Sequence, residues 1–308
     1  MKPLRESIRD YLALRRSLGY KLRDAGICLA KFADFLEQRG APCLTTRLAL
    51  DWVEQDRAVQ PATRAARLSY VRDFARHHAA ADPRTEVPPM GLLPFRPQRA
   101  RPYLYSQEQI EQLLRCTLEL APSDGLRPWT YHCLFGLLSV TGMRVGEAIR
   151  LALEDVNLAE GLLTIRGTKF GKSRLVPIHS STQEVLAQYR ARRARCIRVA
   201  SPFLFVTSRG NHLDIGDIHR TFYTLSQRVG LRAVGASHGP RLHDMRHRFA
   251  IETLLRWYRS GEDVERRLPV LSTYLGHVHV ADTYWYISNC PELMGQAVAR
   301  LEQRWERP

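Results

Sequence analysis

Residues 241–250 read RLHDMRHRFA, which puts two histidines and three arginines within ten positions. On a helix His243 and Arg246 stand at i,i+3 and share a face. Like charges held so close repel unless water or an anion offsets them. A solvated basic face is one reading, and a site for an oxyanion is the other. Three further stretches hold residue types that suit the second. TGMRVGEAIRL places Arg144 just after a glycine turn and Glu147 three residues on, a spacing that by itself would be an ordinary surface ion pair. TKFGKSR holds Lys169 and Lys172, two of only five lysines among 46 basic residues, so their placing on one tip is unlike chance, although solvated tip lysines are the plain alternative. YLGHVHVADTYWYISN supplies His277 and, nine residues later, Tyr286, with His279 and Tyr284 as near rivals. A phosphodiester under attack gains charge on its non-bridging oxygens, and preorganised cationic donors stabilise that charge without a metal. A lysine can deliver a proton to the departing oxygen. A phenol can attack phosphorus, and phenolate leaves more readily than an alkoxide, so the covalent link keeps the bond energy for religation.

The elements around these residues are legible from periodicity. Within residues 1–80, IRDYLALRRSLGY ends near Gly19, and ICLAKFADFLEQRG stops at Gly40. LTTRLALDWVEQ follows a threonine pair suited to capping, and PATRAARLSYVRDFARHHAA opens with Pro61. These predict four short helices. The segment 81–105, with six prolines and four arginines, reads as a linker. Its Arg96, Arg99 and Arg101 could follow a phosphate backbone or merely be solvated. Ser106 is placed to cap a helix carrying Ile110, Leu113 and Leu114, and WTYHCLFGLLSVTG predicts a buried helix. GMRVGEAIRLALEDV predicts another helix. GLLTIRG and SRLVPIH, joined by TKFGK, predict a hairpin. After Tyr286, Pro291 starts a last helix whose Met294, Ala297, Val298 and Leu301 form an apolar stripe.

Composition bounds the partners. The 308 residues carry a formal net charge of +15, which calls for an acidic partner, most often nucleic acid. No apolar run approaches the length of a membrane span, and the N-terminus lacks the apolar core of a signal peptide. The six cysteines are scattered without a C-x-x-C pair, so neither disulfides nor a cysteine zinc site is expected, which fits a reducing cytoplasm. His243 and His247 stand at i,i+4 as in zinc proteases, but Asp244 replaces the glutamate base, Arg246 adds repulsion, and no third ligand is evident. No metal and no other cofactor is expected.

The ordered set R-x-x-E, hairpin lysine, H-x-x-R, LGH and a tyrosine nine residues on resembles the tyrosine recombinase, or phage integrase, family over roughly residues 103–300. TYWYISNCPELM is more similar to its transposon-associated branch than to chromosome-dimer resolvases. The resemblance implies a mainly α fold with a small antiparallel sheet (α+β) in two domains forming a C-shaped clamp around DNA. They would be a helical, SAM-like core-DNA-binding domain over 1–90, a linker over 91–105, and a catalytic domain with a C-terminal helix over 106–308. It implies that Arg144 and Arg246 grip the scissile phosphate and that His243 and His277 complete the cradle. Lys169 would be the general acid, Glu147 would buttress the arginines, and Tyr286 would be the nucleophile. Arg96, Arg99, Arg101, Lys172 and Arg174 would contact DNA. The partners implied are double-stranded DNA at inverted-repeat core sites and three further protomers, identical or sister recombinases, with the C-terminal helix docking on a neighbour. The activity implied is integration, excision or resolution of a mobile element by a cytoplasmic, nucleoid-associated enzyme. A catalytically idle DNA-binding regulator on the same fold is the alternative.

Overall fold

The computed structural model describes residues 3–56, 58–93, 101–167, 173–236, 238–288 and 290–305. They fall into two compact units, residues 1–100 and 101–308. The first holds α1 (Leu4–Ser17), α2 (Arg23–Gln38), α3 (Thr46–Glu54) and α4 (Pro61–His78). The start and stop residues do what their chemistry suggests. The Thr45 hydroxyl accepts the Leu48 amide at 3.2 Å, Pro61 opens α4, and Gly19 and Gly40 follow α1 and α2 with positive φ. Phe32, Leu29, Trp52, Leu68, Val71 and Phe74 form the core beneath them.

The proline-rich segment is divided between the two units. Arg72 donates to the carbonyls of Pro88 and Pro89, and the Glu86 amide donates to Leu44, so the chain up to Leu93 packs on the first unit. Tyr105 is buried in the second unit, where its hydroxyl donates to the Arg241 carbonyl at 2.9 Å. Residues 94–100, with Arg96 and Arg99, lie outside the described residues.

The second unit comprises α5 (Gln107–Thr117), α6 (Leu126–Thr141), α7 (Val145–Ala148), β1 (Val156–Asn157), β2 (Leu162–Ile165), β3 (Arg174–Pro177) and α8 (Ser180–Cys196). It continues with α9 (Ile215–Arg228), α10 (Asp244–Arg259), α11 (Val264–Leu275), α12 (Ala281–Ser288) and α13 (Pro291–Trp305). The described residues are thus mainly helical with one antiparallel sheet, ordered β1-β2-β3. Ser106 and Gln109 form a reciprocal capping box on α5. α6 runs through the core among Phe135, Phe222, Tyr189 and Phe205, as its apolar sequence requires. Ile165 pairs with Arg174 in the β2–β3 register, while Leu163 and Val176 face inward.

The helix expected over GMRVGEAIRLALEDV is only the four residues of α7. Beyond it the Leu151 carbonyl accepts the Leu204 amide at 2.7 Å, and Leu153 donates to Pro202 at 2.8 Å. Long-range extended pairing therefore wins over helix propensity, and the same stretch supplies β1, which no periodicity announced. A second core under α10 to α13 gathers Leu254, Leu268, Leu271, Leu275, Tyr286 and Leu293. On α13 a flank beside buried Leu293 leaves Met294, Val298 and Leu301 half-exposed and Trp305 exposed.

Candidate active site

Gly142 ends α6 with φ +61°, and a Cβ there would lie 2.6 Å from a Phe249 ring carbon. The chain turns sharply enough to set Arg144 immediately before α7. Glu147, buried on α7, reaches back: its Oε2 accepts the Arg144 amide at 2.9 Å and its Oε1 the Arg144 guanidinium at 2.8 Å. Arg174, at the start of β3, forks onto the same carboxylate at 2.8 and 3.2 Å. Burial alone would raise the Glu147 carboxyl, but the hydrogen bonds and charge of Arg174, followed by those of Arg144, hold it at about 2. It is therefore an anion at any working pH.

Arg246 lies on the first turn of α10, 2% exposed. Its guanidinium spans two elements, donating to the Gly142 carbonyl at 2.8 Å and to the Leu275 carbonyl at 2.7 Å. Burial pushes its pKa down to about 10, with the neighbouring Tyr286 acting in the opposite direction, so it stays cationic at neutral pH. His243, at the N-cap of the same helix, is held well below the ordinary histidine range by desolvation and then by Arg246 and Arg144. The imidazole is thus neutral in the DNA-free protein and has room to gain a proton once an anion offsets the arginines.

His277 follows the α11 cap at Gly276, and its Nδ1 meets the buried Thr283 hydroxyl at 2.8 Å. Thr283 and Tyr286 are three apart on α12 and face inward together, so the bond that orients His277 is made one helical turn from the phenol. Tyr286 is 2% exposed, and its ring lies 6.1 Å from His277, 5.5 Å from His247 and 5.5 Å from Trp285. Tyr284, two residues earlier, points the other way and is 53% exposed. One cluster of side chains in the second unit therefore gathers a phenol, three arginines, three imidazoles and a carboxylate.

The phage integrase family matches residues 104–292, the stretch that carries every one of these groups. The chain belongs to that family, the tyrosine-type site-specific recombinases. A putative integrase/recombinase of Sinorhizobium fredii, y4rB, is 58% identical over 311 residues and 99% of both chains. Tyrosine recombinase XerA of Pyrococcus furiosus is 31% identical over 202 residues, 65% of this chain and 62% of that one. Among solved structures, the Tn1549 transposon integrase in complex with transposon right end DNA superposes with a TM-score of 0.69 at 14% identity, over 98% of this chain and 99% of that one. A lambda integrase dimer on a core site gives 0.62 at 19% identity, over 92% and 76%. These last two likenesses concern the fold.

For a member of the phage integrase family the placement of the remaining sequence candidates is informative. Lys169 and Lys172 lie outside the described residues. Arg101 is exposed at the start of the second unit. Arg174, expected on DNA, instead turns inward: its side chain is 9% exposed, with Glu147 and the Tyr274 carbonyl as partners. No local signal distinguishes an inward from an outward arginine at a strand start. Thr283 and Trp285 were not singled out from sequence either, although Thr283 stands one turn before the tyrosine. Arg241 and Arg248 also have protein partners. Arg241 pairs with the buried Asp244, while Arg248 donates to the Tyr105 carbonyl and pairs with Glu252. The crowding in RLHDMRHRFA is thus relieved partly within the chain.

Gly142→Ala tests how tightly the turn is built. It adds a Cβ against Phe249 at a left-handed position, and should cost about 1–3 kcal/mol in urea denaturation. A cost near zero would show that Phe249 and the turn yield freely.

Proposed function

We propose that this recombinase cleaves and rejoins double-stranded DNA at inverted-repeat core sites through a 3′-phosphotyrosyl intermediate, moving a mobile element by integration, excision or resolution. In this reading the Tyr286 phenol passes its proton to a histidine of the cradle as its oxygen attacks the scissile phosphorus, the P–O5′ bond breaks, and Lys169 protonates the departing 5′-oxygen. Arg144 and Arg246 bind the non-bridging oxygens, His243 and His277 complete the cradle, and Glu147 holds Arg144 in place. A 5′-hydroxyl from another strand then attacks the phosphotyrosine and releases the phenol. The observation that carries the reading is the burial of Tyr286, rather than Tyr284, against His277 and beside Arg246. Assembly as a tetramer, of this chain or with sister recombinases, is supported by the exposed stripe of Met294, Val298, Leu301 and Trp305 on α13, which suits a neighbouring protomer. The transposon-associated branch is supported by the stretch TYWYISNCPELM. The +15 charge fits DNA along much of the chain.

A nicked suicide DNA substrate, which loses a short strand on cleavage, should trap a covalent protein–DNA adduct with no added metal or nucleotide. Lys169→Ala should slow trapping by about 10²–10⁴-fold, the range of a lost general acid. A 5′-bridging phosphorothiolate, whose thiolate departs without a proton, should restore the variant to near the parent rate. Failure of the sulfur substrate to rescue would remove Lys169 as the acid, and absence of any adduct from the parent on its element's ends would sink the reading.

A further inference from the structure

Three consecutive carbonyls at the C-terminal end of α11 each accept a hydrogen bond from a different arginine. Tyr274 accepts from Arg174 Nε at 2.7 Å, Leu275 from Arg246 at 2.7 Å, and Gly276 from Arg144 at 3.2 Å. The donors come from β3, α10 and the turn before α7, so four separate stretches of chain are fixed at one point. The last carbonyls of a helix lack intrahelical partners and carry its negative dipole end, which makes them suitable anchors for guanidinium groups. Gly276 is required there. Its φ is +69°, and a Cβ would meet Arg174 Nη1 at 2.8 Å.

We infer that Arg174 is a positioning residue for the phosphate cradle: it occupies Glu147 and the turn before His277, so that Arg144 keeps its charge for the scissile phosphate. The inference rests on the phosphate-gripping role proposed for Arg144. Two arginines on one carboxylate leave the trio with one net positive charge. Arg174 contributes the bidentate fork, whereas Arg144 gives Glu147 one guanidinium bond and its own amide. Among the described residues no side chain other than Arg174 and Arg144 holds the carboxylate, so without Arg174 it can swing to fork Arg144 instead. That pair would be neutral, and the incoming phosphate would have to compete with a carboxylate for the same donors. In this arrangement the Arg174 guanidinium is taken up by Glu147 and the Tyr274 carbonyl. It acts through Glu147 and through the backbone that presents His277.

The test is single-turnover cleavage of the suicide substrate at saturating DNA, with binding measured separately. Arg174→Met keeps the length and removes the charge, and should cleave about 30- to 100-fold more slowly than the parent while its DNA affinity changes by less than about 5-fold. Adding Glu147→Gln to that variant removes the competing anion and keeps an acceptor for the Arg144 amide. The double variant should recover about 5-fold or more of the lost rate, a reversal that a merely structural strut would not produce. If R174M cleaves within about 3-fold of the parent, or if E147Q deepens its defect instead of relieving it, the inference is overturned. Should R174M melt below the assay temperature, R174K is read in its place, because it keeps the charge but not the fork. A rate about 3- to 30-fold below the parent then supports the inference, and a parental rate overturns it. A parent that forms no adduct would instead sink the proposed function, so the two failures are distinguishable.

Discussion

Tyr286→Phe should bind DNA as tightly as the parent and trap no covalent adduct, with cleavage falling by about 10⁴-fold or more. The substitution deletes one oxygen from a ring whose position is set by packing. His277, His247 and Trp285 surround it, and the core under α10 to α13 continues beneath it. Those contacts are between rings, so the phenylalanine should occupy the same place. The matched control is Tyr284→Phe. Residues two apart on a helix point to nearly opposite sides, and α12 turns Tyr284 out into solvent while burying Thr283 and Tyr286. The Tyr284 variant should therefore trap adduct at the parent rate. Mass spectrometry of the proteolysed adduct should find the nucleotide on the peptide containing Tyr286. Undiminished trapping by Tyr286→Phe, with the label on Tyr284, would reverse the assignment and require α12 to rotate on DNA.

How much of this was visible in the sequence follows from the range of the interactions involved. Periodicity, caps and glycine stops are local, so the four helices of the first unit, the Ser106 cap, the buried α6 and the β2–β3 hairpin could all be read in advance. The R-x-x-E, H-x-x-R and LGH…Tyr spacings are also local, and the phenol, the arginines and the two histidines do converge. What could not be read was decided by partners far along the chain. The truncation of α7 depends on pairing with residues 202–204, and the inward turn of Arg174 depends on Glu147, 27 residues away. His247 belongs to the same class. Its spacing marks it only as the i,i+4 neighbour of His243, yet its ring lies 4.9 Å from His243 and 5.5 Å from Tyr286. Burial, and then His243, push its imidazole down to about 4, so at neutral pH it packs as an uncharged ring against Tyr286.

The site is also preorganised in a particular sense. Its arginines are not loose cations awaiting DNA, because each is tied to a backbone carbonyl of α11 or α6 before any phosphate arrives. In the proposed mechanism, fixed donors need no reorganisation as charge develops on the phosphate, and this is where electrostatic catalysis draws its largest share. The arrangement also explains why three arginines are tolerated so close together. Helix-end carbonyls and Glu147 offset part of their repulsion, while the net charge of the group stays positive.

Arg246 is where this view can be tested most severely, because burial and chemistry make opposite demands on it. Its guanidinium is desolvated, as its lowered pKa indicates, so removing it relieves the cost of a buried cation. Removal also leaves the Gly142 and Leu275 carbonyls without their donor, at about 1–3 kcal/mol for each group that water does not reach. The two effects oppose each other, so Arg246→Ala should change folding stability by no more than about 2 kcal/mol. DNA affinity should fall less than about 10-fold, since one phosphate contact among many is lost. Cleavage at saturating DNA should nonetheless fall by about 10²–10³-fold, the effect of deleting one preorganised donor from a developing oxyanion. Arg246→Lys should recover little of that loss, because a single ammonium cannot bridge two carbonyls on different elements and also face the phosphate. The discriminating measurement is the separation of the three quantities by urea denaturation, equilibrium binding and single-turnover trapping on one set of variants. A large loss of stability accompanied by near-parental cleavage in the surviving folded fraction would make Arg246 a structural strut and leave the phosphate with Arg144 alone.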